Sequence, residues 1–149
     1  MTNTPPCNGS SLGLMFRQVR DAMWARMERE LAAAGHDLTF SQYITLKTLG
    51  NGRAGVSELA RAAQLHPGAM TRLLDKLEAQ GLVARVVDPQ DRRALHVDLT
   101  DAGRTLWTAV SDCGRRVHAS AMHGLDDADQ ARLMDLLIRV RDNLSSDSD

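Results

Sequence analysis

The sequence predicts a mainly α-helical protein with a small β-hairpin, and three observations lead to this fold class. Aromatic residues make up only 3% of the 149-residue chain, which favours helices over extended sheet. Most apolar residues recur every three or four positions, the period of an amphipathic helix. Between residues 82 and 99 the period shortens, and Val and Leu partly alternate on either side of a polar turn, as in a hairpin.

The first helix is predicted to begin at Leu12 and to end at Gly35, a residue type that commonly follows a helix C-terminus. Residues 1–11 are polar and contain prolines and glycine, so we expect a flexible tail there. The apolar face of the helix consists of Leu12, Phe16, Val19, Met23, Met27 and Leu31.

Three further helices are predicted before the hairpin. The run from Thr39 to Gln42 fits a capping box, so the second helix begins at Thr39 and ends near residues 50–52. A short third helix spans residues 56–65. The fourth runs from Pro67 to about Gln80, because proline is favoured at the first helical position.

The hairpin is predicted from residues 82–87 and 95–99, joined by the polar turn 88–93. Two helices follow it. One begins after Thr100 and is broken by Gly124, and the other is capped by Asp126 and carries Leu133, Leu137, Val140 and Leu144. We therefore assign residues 39–100 to one lobe, 12–38 and 101–144 to a helical region, and 145–149 to a second flexible tail.

The order of helix, turn, helix and hairpin within residues 56–99 is typical of a winged helix-turn-helix, a lobe that reads duplex DNA. The fourth helix would bury Met70, Leu73, Leu74 and Leu77. Its other face, which would enter the major groove, carries Gly68, Ala69, Thr71, Arg72, Asp75 and Lys76. Arg72 and Lys76 suit phosphates or base edges, and Thr71 suits a phosphate or a thymine methyl. An ordinary solvated helix face is the alternative interpretation.

The hairpin, residues 82–99, would act as the wing, with its turn as the tip that reaches DNA. Gln90, Arg92 and Arg93 are placed to meet an adjacent minor groove, whose negative potential attracts arginine. We expect Asp88 to pair with one of the two arginines and to stabilise the wing, while the other remains free. A solvated turn in which carboxylates balance the arginines is the alternative.

The run Asp88-Pro-Gln-Asp-Arg-Arg-Ala-Leu-His-Val-Asp-Leu-Thr-Asp-Ala-Gly103 resembles the wing signature of the MarR family of bacterial regulators. Residues 56–60 and 70–83 are similar to the two helices of that family's DNA-binding motif. The resemblance implies a homodimer in which the first and last helices of two subunits interlock, whereas packing of those helices within one chain is the alternative. It also implies a regulator, usually a repressor, that binds a pseudo-palindromic operator. The family tends to have Ser or Thr where this chain has His66, a weaker cap.

The resemblance further implies release from DNA by a small aromatic or phenolic effector. The family's usual cleft lies between the dimerisation helices and the winged lobe. The candidate effector-binding residues here are Met15, Met23, Trp24, Met27, His36, Tyr43 and Trp107. Methionine lines adaptable apolar sites well, although methionines at helical spacing are more often core residues.

Other function classes find little support in the sequence. The net charge of −1 means that any DNA-binding charge must be local. We expect no signal peptide, membrane span, metal site, cofactor or enzymatic motif, and we expect a cytoplasmic protein. Two alternatives stay open: a thiol or metal sensor on the same scaffold, with Cys7 and Cys113 as its cysteines, and a winged-helix protein-interaction module that does not bind DNA.

Overall fold

The computed structural model describes residues 9–146 and confirms the mainly α-helical class. In chain order the elements are α1 Gly9–Ala33, α2 Phe40–Gly50, β1 Ala54–Gly55, α3 Val56–Ala63, α4 Pro67–Ala79, β2 Val83–Val87, β3 Leu95–Leu99, α5 Asp101–Ala121 and α6 Asp127–Ser145. Helix α1 begins at Gly9, so residues 9–11 belong to the helix rather than to the predicted tail. The remainder of that tail, and residues 147–149 of the second one, lie outside the described residues.

Local signals set most of the helix ends. The Thr39 side chain accepts a hydrogen bond from the Gln42 amide, and the Gln42 side chain accepts one from the Thr39 amide, so the predicted capping box is present. Asp126 caps α6 through the Asp129 amide. Gly81 follows α4 with a φ of 73°, a left-handed conformation that glycine adopts without steric cost.

The sheet has three strands in the order β1-β3-β2, all antiparallel. Strands β2 and β3 form the predicted hairpin. Strand β1 was not predicted: Ala54 pairs with Val97, on the edge of β3 opposite to β2. The central strand β3 thus joins the wing to the segment that leads directly into α3.

The winged lobe closes around one apolar core. Helices α2, α3 and α4 contribute leucines and Met70, and the strands contribute Ala54, Val83, Val97 and Leu99. A second cluster lies where α1, α2 and α5 meet. It contains Met27, Leu31, Tyr43, Val110, Cys113 and Val117. The first cluster holds α4 and the hairpin on the body of the lobe, and the second packs α1 and α5 against α2.

The chain divides into two compact units, one ending at Val117 and one beginning at His118. In the second unit, Asp126 caps α6 and the Gln130 side chain donates to the Leu125 carbonyl. None of the side chains of α6 is buried. Among the described residues, no helix is both long and apolar enough to cross a bilayer.

Candidate nucleic-acid interface

Helix α4 presents one apolar and one polar face. Met70, Leu74 and Leu77 have no exposed surface, and Leu73 is half-buried, so the predicted buried stripe packs into the core of the lobe. The outward face is exposed at Gly68, Thr71, Arg72, Asp75 and Lys76, whereas Ala69 is half-buried. The outward residues therefore form one continuous surface beside the small N-terminal residues of the helix.

The start of α4 leaves hydrogen-bonding groups available. Pro67 occupies the first turn, and the preceding His66 makes no side-chain cap hydrogen bond, as expected for a poor capping residue. The amides of the first turn are thus not satisfied by the cap and can donate to an anion. The Thr71 hydroxyl donates to the Pro67 carbonyl at 3.0 Å, which leaves its methyl group and its lone pairs for a partner.

The loop between β2 and β3 is held by Asp88 and Asp91. The Asp88 amide donates to the Ala94 carbonyl at 3.0 Å. The Asp88 carboxylate accepts from the Gln90 amide at 2.9 Å and lies 3.2 Å from Nε2 of His96. The Gln90 hydrogen bond, assisted by His96, holds the pKa of Asp88 below its ordinary value. The expectation that Asp88 pairs with Arg92 or Arg93 is wrong, because the loop backbone and His96 occupy its carboxylate.

Both wing arginines are consequently available. The Arg93 amide donates to Asp91 Oδ1 at 3.0 Å, which fixes the backbone of the loop. The side chains of Gln90, Arg92 and Arg93 are exposed. Within residues 9–146, neither guanidinium forms an ion pair with a carboxylate.

A third arginine connects the wing to α4. Arg85, in the middle of β2, lies with Nη2 2.7 Å from Asp75 Oδ1 and Nη1 3.3 Å from Glu78 Oε1. Its side chain is only 22% exposed. The hydrogen bond with Asp75 is the main reason that its pKa is raised. Sequence reasoning placed Asp75 on the outward face of the helix but did not find its partner.

The predicted effector-binding residues do not all come together. Trp24, Tyr43 and Trp107 form a chain of aromatic contacts, with ring centroids 6.1 Å and 5.9 Å apart, and Met27 packs in the same cluster. Burial raises the pKa of Tyr43. Met15 and Met23 are exposed on α1, and His36 is half-buried after the end of that helix. Tyr43 and Met27 therefore serve as core residues in this structure.

Two of the cavities lined by described residues lie within the first unit. One has a volume of about 410 Å³ and lies between α1, the start of α2 and the end of α3, and its lining residues include Arg20, Trp24, Phe40 and Gln64. The other, of about 390 Å³, lies between the end of α2, β3 and α5, and its lining residues include Asn51, Arg104 and Trp107. Each cavity thus contains one tryptophan of the predicted effector set.

Cys113 is fully buried, and Arg116 Nη2 lies 3.3 Å from its sulfur. Arg116 also pairs with Glu30 at 2.7 Å, and this contact is the main reason that the pKa of Glu30 is lowered. Cys7 lies outside the described residues.

Comparison with known proteins identifies the lobe. A model described as "MarR family" matches residues 36–94, the segment that holds α2, α3, α4 and the wing. The chain is 27% identical over 144 residues to the HTH-type transcriptional repressor NicR of Pseudomonas putida, across 96% of this chain and 90% of that protein. It also superposes on a MarR-family transcriptional regulator from Silicibacter pomeroyi with a TM-score of 0.74 and 25% identity, covering 87% of this chain and 86% of that one. The chain belongs to the MarR family.

One of the solved structures that resemble this chain has a bound small molecule. The chain is similar to NadR in complex with 4-hydroxyphenylacetate, with a TM-score of 0.75 and 25% identity over 94% of this chain and 97% of that one. Membership of the MarR family establishes a DNA-binding transcriptional regulator with a winged helix fold. The wing signature and the recognition-helix pattern pointed to this family from sequence, whereas Arg85 and His96 gave no signal there because their partners lie on other elements or across the hairpin.

Proposed function

We propose that this MarR-family protein is a homodimeric repressor that binds a pseudo-palindromic operator and is released by a small aromatic or phenolic effector. In this proposal α4 is the recognition helix, which enters the major groove. The hairpin 82–99 is the wing, and its loop 88–94 meets the adjacent minor groove. The DNA contacts are Gly68, Ala69, Thr71, Arg72, Lys76, Gln90, Arg92 and Arg93.

The observation that carries the proposal is the arrangement of cations on α4 and the wing. Arg72, Lys76, Arg92 and Arg93 are exposed, and in the described part of the chain none of them is held by a carboxylate. The chain as a whole has a net charge of −1, so attraction to DNA must come from a local group of cations such as this one. Free cations on two protruding elements suit phosphate and groove contacts.

The homodimer is supported by apolar residues that each unit leaves exposed. On α1 they form one stripe of Leu12, Met15, Phe16, Val19 and Met23. On α6, Met134, Leu136, Ile138 and Leu144 are exposed. Apolar faces of this extent on a protein favour association. A two-fold dimer would present its recognition helices about 34 Å apart, one turn of duplex DNA.

The effector is supported by the cavity at Arg20 and Trp24. Its volume of about 410 Å³ is in the range of small-molecule sites. The Trp24 and Phe40 rings meet edge to face with centroids 5.1 Å apart and offer an apolar wall to an aromatic ring. The Arg20 guanidinium, which is exposed and lies 2.9 Å from Asp21, offers a charged partner to a carboxylate. A phenolic acid of the kind bound to NadR combines both groups.

The DNA-binding proposal is tested by electrophoretic mobility shift on the region upstream of the coding sequence. We expect salt-dependent binding that Arg92→Ala weakens by roughly 1–3 kcal/mol, with Arg93→Ala compared in parallel. Arg29→Ala, a change at an exposed arginine of α1, is the matched control and should have no effect. Failure to bind any duplex would favour the protein-interaction module instead.

The effector proposal is tested with 4-hydroxyphenylacetate as the first probe, followed by other phenolic acids. A ligand in the cavity contacts Trp24, so we expect quenching of tryptophan fluorescence that Trp24→Phe abolishes and Trp107→Phe leaves in place. Arg20→Gln should weaken the binding of phenolic acids more than the binding of the corresponding neutral phenols. Quenching that follows Trp107 would place the effector in the cavity beside Arg104.

A further inference from the structure

The outward face of α4 carries an acidic residue among its cations. Asp75 lies one turn after Arg72 on this face and next to Lys76 in sequence. A carboxylate there opposes binding to phosphates, and it is close enough, at i and i+3, to pair with Arg72 along the helix. In the structure Asp75 instead pairs with Arg85, at 2.7 Å.

Arg85 is well placed to hold both acids of this helix end. It is in the centre of β2, where its backbone pairs with Val97, and its guanidinium reaches Asp75 and Glu78 at the same time. The two acids are exposed, whereas the Arg85 side chain is mostly covered. One guanidinium with two hydrogen-bonding directions suits this bridge better than an ammonium would.

We infer that Arg85 is a positioning residue for DNA binding, which joins the recognition helix to the wing strand and keeps Asp75 from pairing with Arg72. The inference rests on the proposed function, because it concerns the cations of α4 that the proposed DNA binding requires. Arg85 itself does not contact DNA in this scheme. Its effect on binding passes through the two carboxylates that it holds.

The test is a cycle of variants, each measured for binding to duplex DNA from the upstream region and to sheared genomic DNA. Arg85→Gln in the wild-type chain should weaken binding, on the order of tenfold. In the Asp75→Asn, Glu78→Gln background the same change should have little effect, because the carboxylates that it releases are gone. The Asp75→Asn, Glu78→Gln chain itself should bind at least as tightly as the wild type. Arg85→Lys should recover only part of the loss.

An equal loss in both backgrounds, with a salt slope reduced by about 1, would overturn the inference and make Arg85 a direct phosphate contact. No loss in either background would also overturn it. Hydrogen exchange, measured without DNA, separates this inference from the proposed function. Arg85→Gln should speed exchange at the amides of β2 and of the C-terminal half of α4, even if the wild type fails to bind the duplexes. Unchanged exchange there contradicts the bridge.

Discussion

The winged lobe and the first half of α1 use apolar side chains in opposite ways. In the lobe, Leu46, Met70 and Val97 have no exposed surface, whereas Val19 of α1 keeps 47% of its surface exposed. The lobe completes its own core, because helices and strands from many parts of its sequence meet there. The stripe on α1 is equally apolar but has no such cover in one copy of the chain, and α6, considered by itself, has the same property at Leu144, which is 74% exposed.

This difference distinguishes apolar residues that pack within one chain from those that we expect to pack between two chains. Further along α1, Met27 and Leu31 are turned towards α2 and α5 and are buried. A single helix is thus anchored by its C-terminal half and left uncovered along its N-terminal half. Stability of the lobe should depend on its own packing, whereas the exposed faces should matter for assembly and, through assembly, for DNA binding.

The largest effect is expected from charging the exposed stripe. Phe16→Glu with Val19→Glu should abolish the proposed dimer, since carboxylates placed in an apolar interface lose their hydration. A monomer engages one half-site, so operator affinity should fall by a hundredfold or more, on the order of the avidity lost. Analytical ultracentrifugation measures the mass, and mobility shift measures the affinity.

Gln18→Glu is the control for the kind of charge, because it adds one of the two negative charges at an exposed position of α1 outside the stripe. It should leave both the mass and the affinity near those of the wild type. A double variant that remains dimeric would show that the stripe of α1 is not the interface.

The next effect concerns the core of the lobe. Leu74 of α4 has no exposed surface, so Leu74→Ala leaves a cavity and should lower the free energy of unfolding by about 2–5 kcal/mol. In the Phe16→Glu, Val19→Glu background, Leu12→Ala should change the free energy of unfolding by less than about 0.5 kcal/mol. Urea unfolding measures both. Similar losses at the two positions would contradict the comparison between a closed lobe and an uncovered helix face.

Two glycines test the same contrast between packed and uncovered regions, because replacing each with alanine should change stability in opposite directions. A Cβ at Gly103, in the first turn of α5, would overlap the carbonyl of Leu82, whose oxygen is fixed by the Thr100 amide at 3.1 Å. Gly103→Ala should therefore destabilise the protein by about 1–3 kcal/mol. A Cβ at Gly13 of α1 would meet nothing within 4 Å, so Gly13→Ala should stabilise by roughly 0.5–1 kcal/mol. If α1 is open at Gly13, thermal unfolding should show a lower Tm for Gly103→Ala and a higher Tm for Gly13→Ala than for the wild type.

The parts of the fold that could be predicted from sequence are those that depend on residues only a few positions apart in the chain. The Thr39–Gln42 box, Pro67 and Asp126 set helix starts through neighbours only a few residues away, and Gly81 ends α4 by its own backbone freedom. The outward face of α4 followed from helical period alone. These signals need no knowledge of the tertiary fold.

The parts that could not be predicted depend on pairing between distant segments. Strand β1 has only two residues, Ala54 and Gly55, and exists because Val97 and His96 of β3 lie beside it. Arg85 meets Asp75 only after the chain has folded. Asp88 was assigned an arginine partner on proximity in sequence, whereas the antiparallel register brings it to His96. Such contacts depend on the register of paired strands and on how a helix packs against the sheet. The preferences of single residues do not determine either of these.

The smallest effect is expected at the tip of the wing, where residues 89–93 are exposed. Hydrogen bonds from the Gln90 amide and His96 hold the pKa of Asp88 below its ordinary value of 3.8. Since the folded pKa is lowered, the contribution of Asp88 to stability is fully present above about pH 4 and is lost as the pH falls through the folded value. The protection of the Gln90 and Ala94 amides against hydrogen exchange, taken relative to the intrinsic exchange rate at each pH, should therefore fall on acidification below pH 4, and Asp88→Asn should remove most of this dependence.

Asp37→Asn provides the control, because Asp37 is an exposed carboxylate outside the hairpin and its loss should leave the exchange of the wing amides unchanged. The core strand residues Val83 and Val97 provide an internal reference, since their amides should keep their protection over the same pH range. An equal loss of protection in the loop and at these strand residues would mean that acid unfolds the whole lobe, and the loop would then have no separate transition. A loss of protection confined to the loop would instead show that the arginines of the wing are carried on a turn whose order depends on the charge of one aspartate.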